Sequence, residues 1–125
     1  MHHNREELAW AAGFFDGEGS FMTAYHAKRK DGTTHAYPQA SLGQVGLHGR
    51  VLLERFRDAI GFGKVFGPYM PVKHKPHWQP RYQWEGSGLE KVQALLALLW
   101  FKLGSPKRTA ARVCLENYHA SLRRH

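Results

Sequence analysis

Cysteine occurs once, at Cys114. One thiol excludes an internal disulfide framework and any zinc site built on several cysteines, and a buried free thiol on a helix is expected there. Long apolar runs are also missing. None approaches the ~20 residues of a membrane span, and the longest, Ala94 to Phe101, fits a core helix. Met1-His2-His3-Asn4 leads straight into charged residues with no signal-peptide pattern, so an intracellular protein without a membrane partner is expected. There is no strong internal repeat and no low-complexity tract. Acid is scarce: ten Asp and Glu stand against eighteen Lys and Arg, a formal charge of +8. That imbalance favours a polyanionic partner, nucleic acid before membrane surface. Nine histidines add positive charge below about pH 6.5. His74 and His77 have no third partner at fixed spacing and His2-His3 lies at a terminus, so phosphate or surface roles are expected for them rather than zinc.

What is present is enough for one domain over residues 1–125, with 42% hydrophobic and 13% aromatic residues to build a modest core. The pattern predicts a first helix from Arg5 to Asp16, with Asn4 as N-cap and Glu7 as its capping-box partner. Ser20 to Ala27 alternates as a strand. Lys28-Arg29-Lys30-Asp31-Gly32 is a basic turn with an Asp-Gly hairpin signal, and a second strand follows from Thr34 to Val45, weakened by Pro38 and Gly43. A second helix is expected over Arg50 to Ile60 with Leu52, Leu53, Phe56 and Ile60 as its stripe, then a short strand from Lys64 to Phe66. Gly67 to His77 is a Pro-rich basic loop, and Gln79 to Glu85 a fourth strand with Tyr82 and Trp84 on one side and Arg81, Gln83 and Glu85 on the other. Ser87-Gly88-Leu89-Glu90 reads as a capping box for a third helix to Phe101. Ser105-Pro106 opens a fourth, to Ser121, with Ser105 as N-cap and a stripe through Val113, Tyr118 and Leu122. Two hairpins separated by helices give an α+β class, a four-stranded antiparallel sheet with helices on one face.

One stretch stands apart. Ala9, Ala12, Gly13 and Asp16 fall three and four apart, making one smooth helical face against which another backbone could lie very close. Asp16-Gly17-Glu18-Gly19 then sets two acids at a helix C-terminus, the unfavourable end of the dipole. A divalent cation is the natural reason for acids in such a place, and Mg²⁺ binds few carboxylates while keeping its waters. With a polar, basic sheet face nearby, this suggests a groove for a phosphodiester backbone with a metal at its floor. One carboxylate per chain is too little to cut both strands of a duplex, whereas two copies about a twofold axis supply two.

The run Ala11-Ala12-Gly13-Phe14-Phe15-Asp16-Gly17-Glu18-Gly19 resembles the signature of the LAGLIDADG homing endonucleases. The likeness extends along nearly the whole chain, in the element order α-β-β-α-β-β-α with an extra C-terminal helix. It includes the turn Ile60-Gly61-Phe62-Gly63-Lys64-Val65 and the basic segment Trp100 to Arg108. The resemblance implies a saddle-like sheet and a homodimer joined through the motif helices at Ala9, Ala12, Gly13 and Asp16. It also implies a sequence-specific double-strand DNA endonuclease that uses Mg²⁺ or Mn²⁺, binds without cutting in Ca²⁺, recognises a near-palindromic site and leaves short 3′ overhangs. Carried over by position, the metal-holding acid is Glu18, where many members have aspartate. Asp16 matches the first acid, which mainly supports the helix end and is a lesser metal candidate. Lys107 best matches the basic residue beside the scissile phosphate, with Lys102 and Arg108 as competitors. Gln44 is the candidate for positioning the attacking water, although an ungapped register puts Val45 in that place.

For the DNA surface, strand periodicity gives Met22, Ala24, His26 and Lys28 one face, with Ala36, Pro38, Ala40, Leu42 and Gln44 as expected partners on strand two. Lys64, Phe66, Arg81, Gln83 and Glu85 form the matching set in the second hairpin, Arg81 and Gln83 suiting guanine and adenine edges. Lys28, Arg29, Lys30, Lys73 and Lys75 are expected to grip phosphates. A non-cleaving alternative, a DNA-binding regulator or an RNA maturase of the same fold, shares every basic residue and differs only at the chemistry.

Overall fold

The computed structural model describes residues 3–70 and 79–123. Helix α1 spans Arg5–Glu18, and the carboxamide of Asn4 caps it by accepting from the amides of Glu6 and Glu7 at 2.8 and 3.1 Å. The expected reciprocal half of the capping box is not made. Glu7 instead turns outward to a bidentate pair with Arg55, at 2.7 and 2.9 Å, and Arg55 in turn lies 3.9 Å over the Trp10 ring. The guanidinium holds the Glu7 carboxyl below the usual carboxylate range.

Strand β1, Gly19–Tyr25, follows α1 without a loop and pairs with β2, Ala36–Val45. The turn between them is closed by bonds from Arg29 N–H to the Thr33 carbonyl and from Gly32 N–H to the Arg29 carbonyl. The Asp31 carboxylate accepts from both the amide and the hydroxyl of Thr33. Helix α2, Gly46–Ile60, begins four residues before the sequence pattern predicts, because Gly46 at φ 78° turns strand directly into helix. Gly61 then ends it in the left-handed region. Strand β3, Lys64–Tyr69, and strand β4, Arg81–Ser87, complete the sheet in the order β1-β2-β4-β3, all antiparallel. Helix α3, Leu89–Leu99, runs into a 3-10 turn at Trp100–Lys102, and helix α4 spans Ser105–Leu122.

Pro38 lies in a central strand and is nonetheless accommodated. Its carbonyl accepts from Gly88 N–H, so its missing N–H faces the same edge, one residue past the last β2–β4 pair at Gln39 and Ser87. The Gly88 carbonyl, which a non-proline residue would occupy there, accepts instead from Val92 N–H and starts α3.

The core lies between the sheet and the helices. Phe21, Ala40, Leu42, Tyr82 and Trp84 face Ala11, Phe15, Leu53, Phe56 and Leu95. Phe15 meets Phe21 edge-on at 5.1 Å, and Phe56 meets Trp84 at 4.8 Å. Such pairs add about 0.5–1.5 kcal/mol each beyond the area they bury. The Trp84 indole N–H finds the Phe62 carbonyl at 3.1 Å. Among the described residues no helix is long and apolar enough to cross a membrane.

Two caps differ from the sequence expectation. Gly88, not Ser87, is the N-cap of α3, and the Ser87 hydroxyl accepts from the Gln39 amide at 3.0 Å. Gly104, not Ser105, is the N-cap of α4. The stripe expected on α4 is also displaced: Val113 and Leu122 are exposed, and Ala111 and Cys114 are the buried positions. Sheet contact favours small side chains there, so the largest apolar residues are not the inward ones. The Cys114 thiol donates to the Met22 carbonyl at 3.2 Å, and burial pushes its pKa up.

Candidate active site and nucleic-acid interface

The motif residues divide by what holds each of them. Ala11, Ala12 and Phe15 are buried in this chain's own core. Ala12 is therefore closed off by its own fold, which removes it from the smooth face expected of Ala9, Ala12, Gly13 and Asp16; the exposed members are Ala9, Gly13 and Asp16. Gly19 is required by packing, since a Cβ there would meet the Phe15 ring at 2.5 Å. Gly13 and Gly17 are different. A Cβ at either meets nothing within 4 Å, and neither has a positive φ. Glycine inside a helix costs roughly 0.5–1 kcal/mol against alanine, and no packing among the described residues offsets that cost. The bare surface they leave on α1 is suited to contact from outside the chain.

The two acids also separate. Asp16 Oδ1 accepts from Gly104 N–H at 2.8 Å. Its carboxylate thus lies at the N-terminus of α4, which offsets the unfavourable end of α1. The same tie favours glycine at residue 104, since a Cβ there would stand 3.3 Å from the same carboxylate oxygen. Asp16 is a brace between two helix ends, and the weight of any metal role moves to Glu18. Glu18 is the last residue of α1, exposed, and without a hydrogen bond or ion pair among the described residues.

Lys107 is brought to the same place. From the first turn of α4 its Nζ donates to the Gly19 carbonyl at 2.5 Å, one residue beyond Glu18. The competing residues are turned elsewhere: Arg108 Nε donates to the Trp100 carbonyl at 2.9 Å and its guanidinium sits 5.3 Å over the Trp100 ring, while Lys102 is exposed in the 3-10 turn.

Gln44 is not brought in. The register pairs it with Tyr82, on the helix-covered side of the sheet, and its Cβ lies against Gly49 of α2. Val45, half exposed, has the opposite parity and faces the open side beside Arg81. The same register corrects the expected partners on strand two. Ala36, Pro38, Ala40 and Leu42 share the helix side with Gln44, and the open face carries Tyr37, Gln39, Ser41 and Gly43. These residues were readable as the polar half of the strand's own alternation. Strand one keeps its assignment, with Met22 opposite Gln39 and Ala24 opposite Tyr37, and the His26 ring lies 4.6 Å from that of Tyr37.

The second hairpin supplies Lys64, Phe66, Arg81, Gln83 and Glu85 to the open face as expected. Lys28, Arg29 and Lys30 are exposed at the β1–β2 turn, at the sheet end away from Glu18. Lys73 and Lys75, like His74 and His77, lie outside the described residues. Lateral bonds between strands order much of this face, including one of 3.1 Å between the Ser20 and Ser41 hydroxyls.

No family model matches the sequence, and no curated protein matches it. Solved structures do. The homing endonuclease I-CvuI, in complex with its target in the presence of 2 mM Ca, superposes with a TM-score of 0.70 at 20% identity, over 94% of this chain and 71% of that one. The chain has the LAGLIDADG homing endonuclease fold. Two further structures agree with that fold. The homing endonuclease I-TnaI gives a TM-score of 0.64 at 19% identity, covering 89% of this chain and 69% of that one. The group I intron-encoded homing endonuclease I-CeuI, complexed with DNA, gives 0.65 at 14% identity, covering 96% of this chain and 55% of that one.

Within this fold the donor set at the end of α1 can be tested against a divalent ion. Among the described residues no three His, Cys, Asp or Glu side chains converge. A closed all-protein cage is thus not built from them. A single free carboxylate fits Mg²⁺, which retains waters and takes further oxygens from phosphate.

Proposed function

We propose that this chain is a homodimeric, divalent-metal-dependent, sequence-specific DNA endonuclease. The observation that carries the reading is at the end of α1, where Glu18 has no partner among the described residues and the Lys107 ammonium is held at the carbonyl of the next residue, Gly19. Glu18 from each of two copies would hold Mg²⁺ or Mn²⁺ at the two scissile phosphates. The bound ion would supply a nucleophile from water at neutral pH and charge stabilisation at the leaving oxygen. Lys107, whose Nζ is held at the Gly19 carbonyl just past Glu18, would offset the charge developing on the phosphate. Asp16 and Gly104 keep the end of α1 in register with α4, so the acid and the lysine stay together. The bare surface at Gly13 and Gly17 would admit the same helix of a second copy, making the second half of a near-palindromic site readable.

The open face of the sheet would enter the major groove as a β-ribbon surface, with base-edge contacts from Arg81 and Gln83. The Lys28-Arg29-Lys30 turn and Lys64 would hold phosphates, as would Lys73 and Lys75. Affinity for duplex DNA in Ca²⁺ should therefore fall steeply with salt, with a log–log slope of about −0.9 for each phosphate neutralised. Fluorescence anisotropy across a salt series measures it, and a flat response would remove the basic turns from the interface.

A second reading, a non-cleaving DNA-binding regulator or RNA maturase, is favoured by one observation. The position facing the open side at the end of β2 is Val45, which cannot hold a water by hydrogen bonds, while Gln44 is turned to the helices.

A further inference from the structure

The four strands contain one acidic residue among the described positions, Glu85, and it stands on the open face between Ser41 of β2 and Lys64 of β3. A carboxylate on a surface meant for a polyanion is electrostatically costly. The simplest compensation, an ion pair with Lys64, is not made. Instead Glu85 Oε1 lies 2.8 Å from Gln83 Nε2, the residue two positions earlier on the same side of β4. A carboxylate only accepts, so the amide atom it touches must be the nitrogen. That fixes the Gln83 oxygen away from Glu85. Glu85 Oε2 and Gln83 Oε1 are then two acceptors on neighbouring open-face residues, neither with a partner among the described residues.

Few groups of a duplex can satisfy two such acceptors. In the major groove the donors are the N4 amino group of cytosine and the N6 amino group of adenine; guanine O6 and N7 and thymine O4 are acceptors and are repelled. Resting on the DNA-binding reading above, we propose that Glu85 is a specificity-determining residue that selects cytosine through its N4 amino group, with Gln83 oriented by it to read a neighbouring adenine. Gln83 keeps one N–H free after bonding Glu85, and that N–H with its Oε1 matches N7 and N6 of adenine. The carboxylate thus contributes discrimination and opposes general affinity. This sign is opposite to that of Lys64 and Arg81 beside it.

Glu85→Gln separates these effects, because it keeps size and the open position while removing the charge. Binding-site selection from a randomised duplex library in Ca²⁺, for the parent and for Glu85→Gln, is the test. The parent is expected to select cytosine at one position per half-site. The variant is expected to lose that preference by about tenfold or more at that position and to weaken the neighbouring adenine preference, while binding unselected duplex as tightly as the parent or tighter. Gln83→Leu should relax only the neighbouring position. If both proteins melt alike and return the same site, Glu85 is not a reader, although the DNA-binding reading stands. A parent that binds duplex with no base preference also overturns the proposal. A parent that binds no duplex at all overturns the broader reading and this one with it.

Discussion

Glu18→Gln is expected to lower strand cleavage in Mg²⁺ by about 10³-fold or more, while duplex affinity in Ca²⁺ stays within a few-fold of the parent. Several kcal/mol of charge stabilisation are attributed to a metal at a phosphoryl centre, and each 1.36 kcal/mol is a factor of ten in rate. The substitution keeps the shape of an exposed side chain that makes no hydrogen bond among the described residues, so folding should not change. Single-turnover cleavage of a selected site reads the effect. A variant that cuts as fast as the parent removes Glu18 from the metal site. Lys107 cannot then be rescued as the centre, because the geometric case for it is its bond to Gly19, the residue after Glu18.

Gly13→Arg is expected to convert a dimer into a monomer, with the association constant falling by at least about 100-fold. The effect is steric and local. A Cβ at residue 13 meets nothing within 4 Å in this chain, so the fold should tolerate the change. Two motif helices in close contact would not, since each would place a long cation where the other's backbone must lie. Gly13→Ala sharpens the comparison. In a chain that acts alone it should raise stability by roughly 0.5–1 kcal/mol; at a close helix crossing it should weaken association. Sedimentation with and without DNA distinguishes these results, and a parent that is monomeric in both conditions sinks the two-copy model.

The fold and the motif differ in how much of them the sequence carried. Element order was legible because the apolar periods are long and clean in α2, α3 and β4, and the Asp31-Gly32 turn marks its hairpin plainly. Apart from the start of α2, which Gly46 sets locally, the errors at the caps and on strand two share one cause: a partner distant in sequence. Ser87 looks like a cap until Gln39 claims its hydroxyl from across the sheet. Ser105 looks like a cap because the Asp16 brace, which selects Gly104 for that place, comes from residues far earlier. On strand two the pairing of Tyr25 with Ala36 sets odd against even numbers across the hairpin, and that offset moved Gln44 to the covered side and Gln39 and Ser41 to the open one. Pro38 argued against a central strand until its neighbour was seen to be the first residue before a helix.

The candidate site was legible at Glu18 and Asp16 because both belong to one short run, and a local motif survives ignorance of the rest of the fold. Lys107 could be named from the basic segment but not fixed there. Three cations compete within seven residues, and only the path of α4 beside β1 selects one. Gly13 and Gly17 were visible as small residues. Their significance rests on a structural fact, that this chain's own packing asks for neither.

The most direct test of the account is cleavage selection with the purified parent on a randomised duplex library in Mg²⁺. The expected product is a double-strand break with short 3′ overhangs at a near-palindromic site, lost on chelation and lost in Glu18→Gln. Duplexes bound and retained but never cut, with Mg²⁺ and Mn²⁺ both supplied, would contradict it and leave the protein as a binder that holds DNA without breaking it.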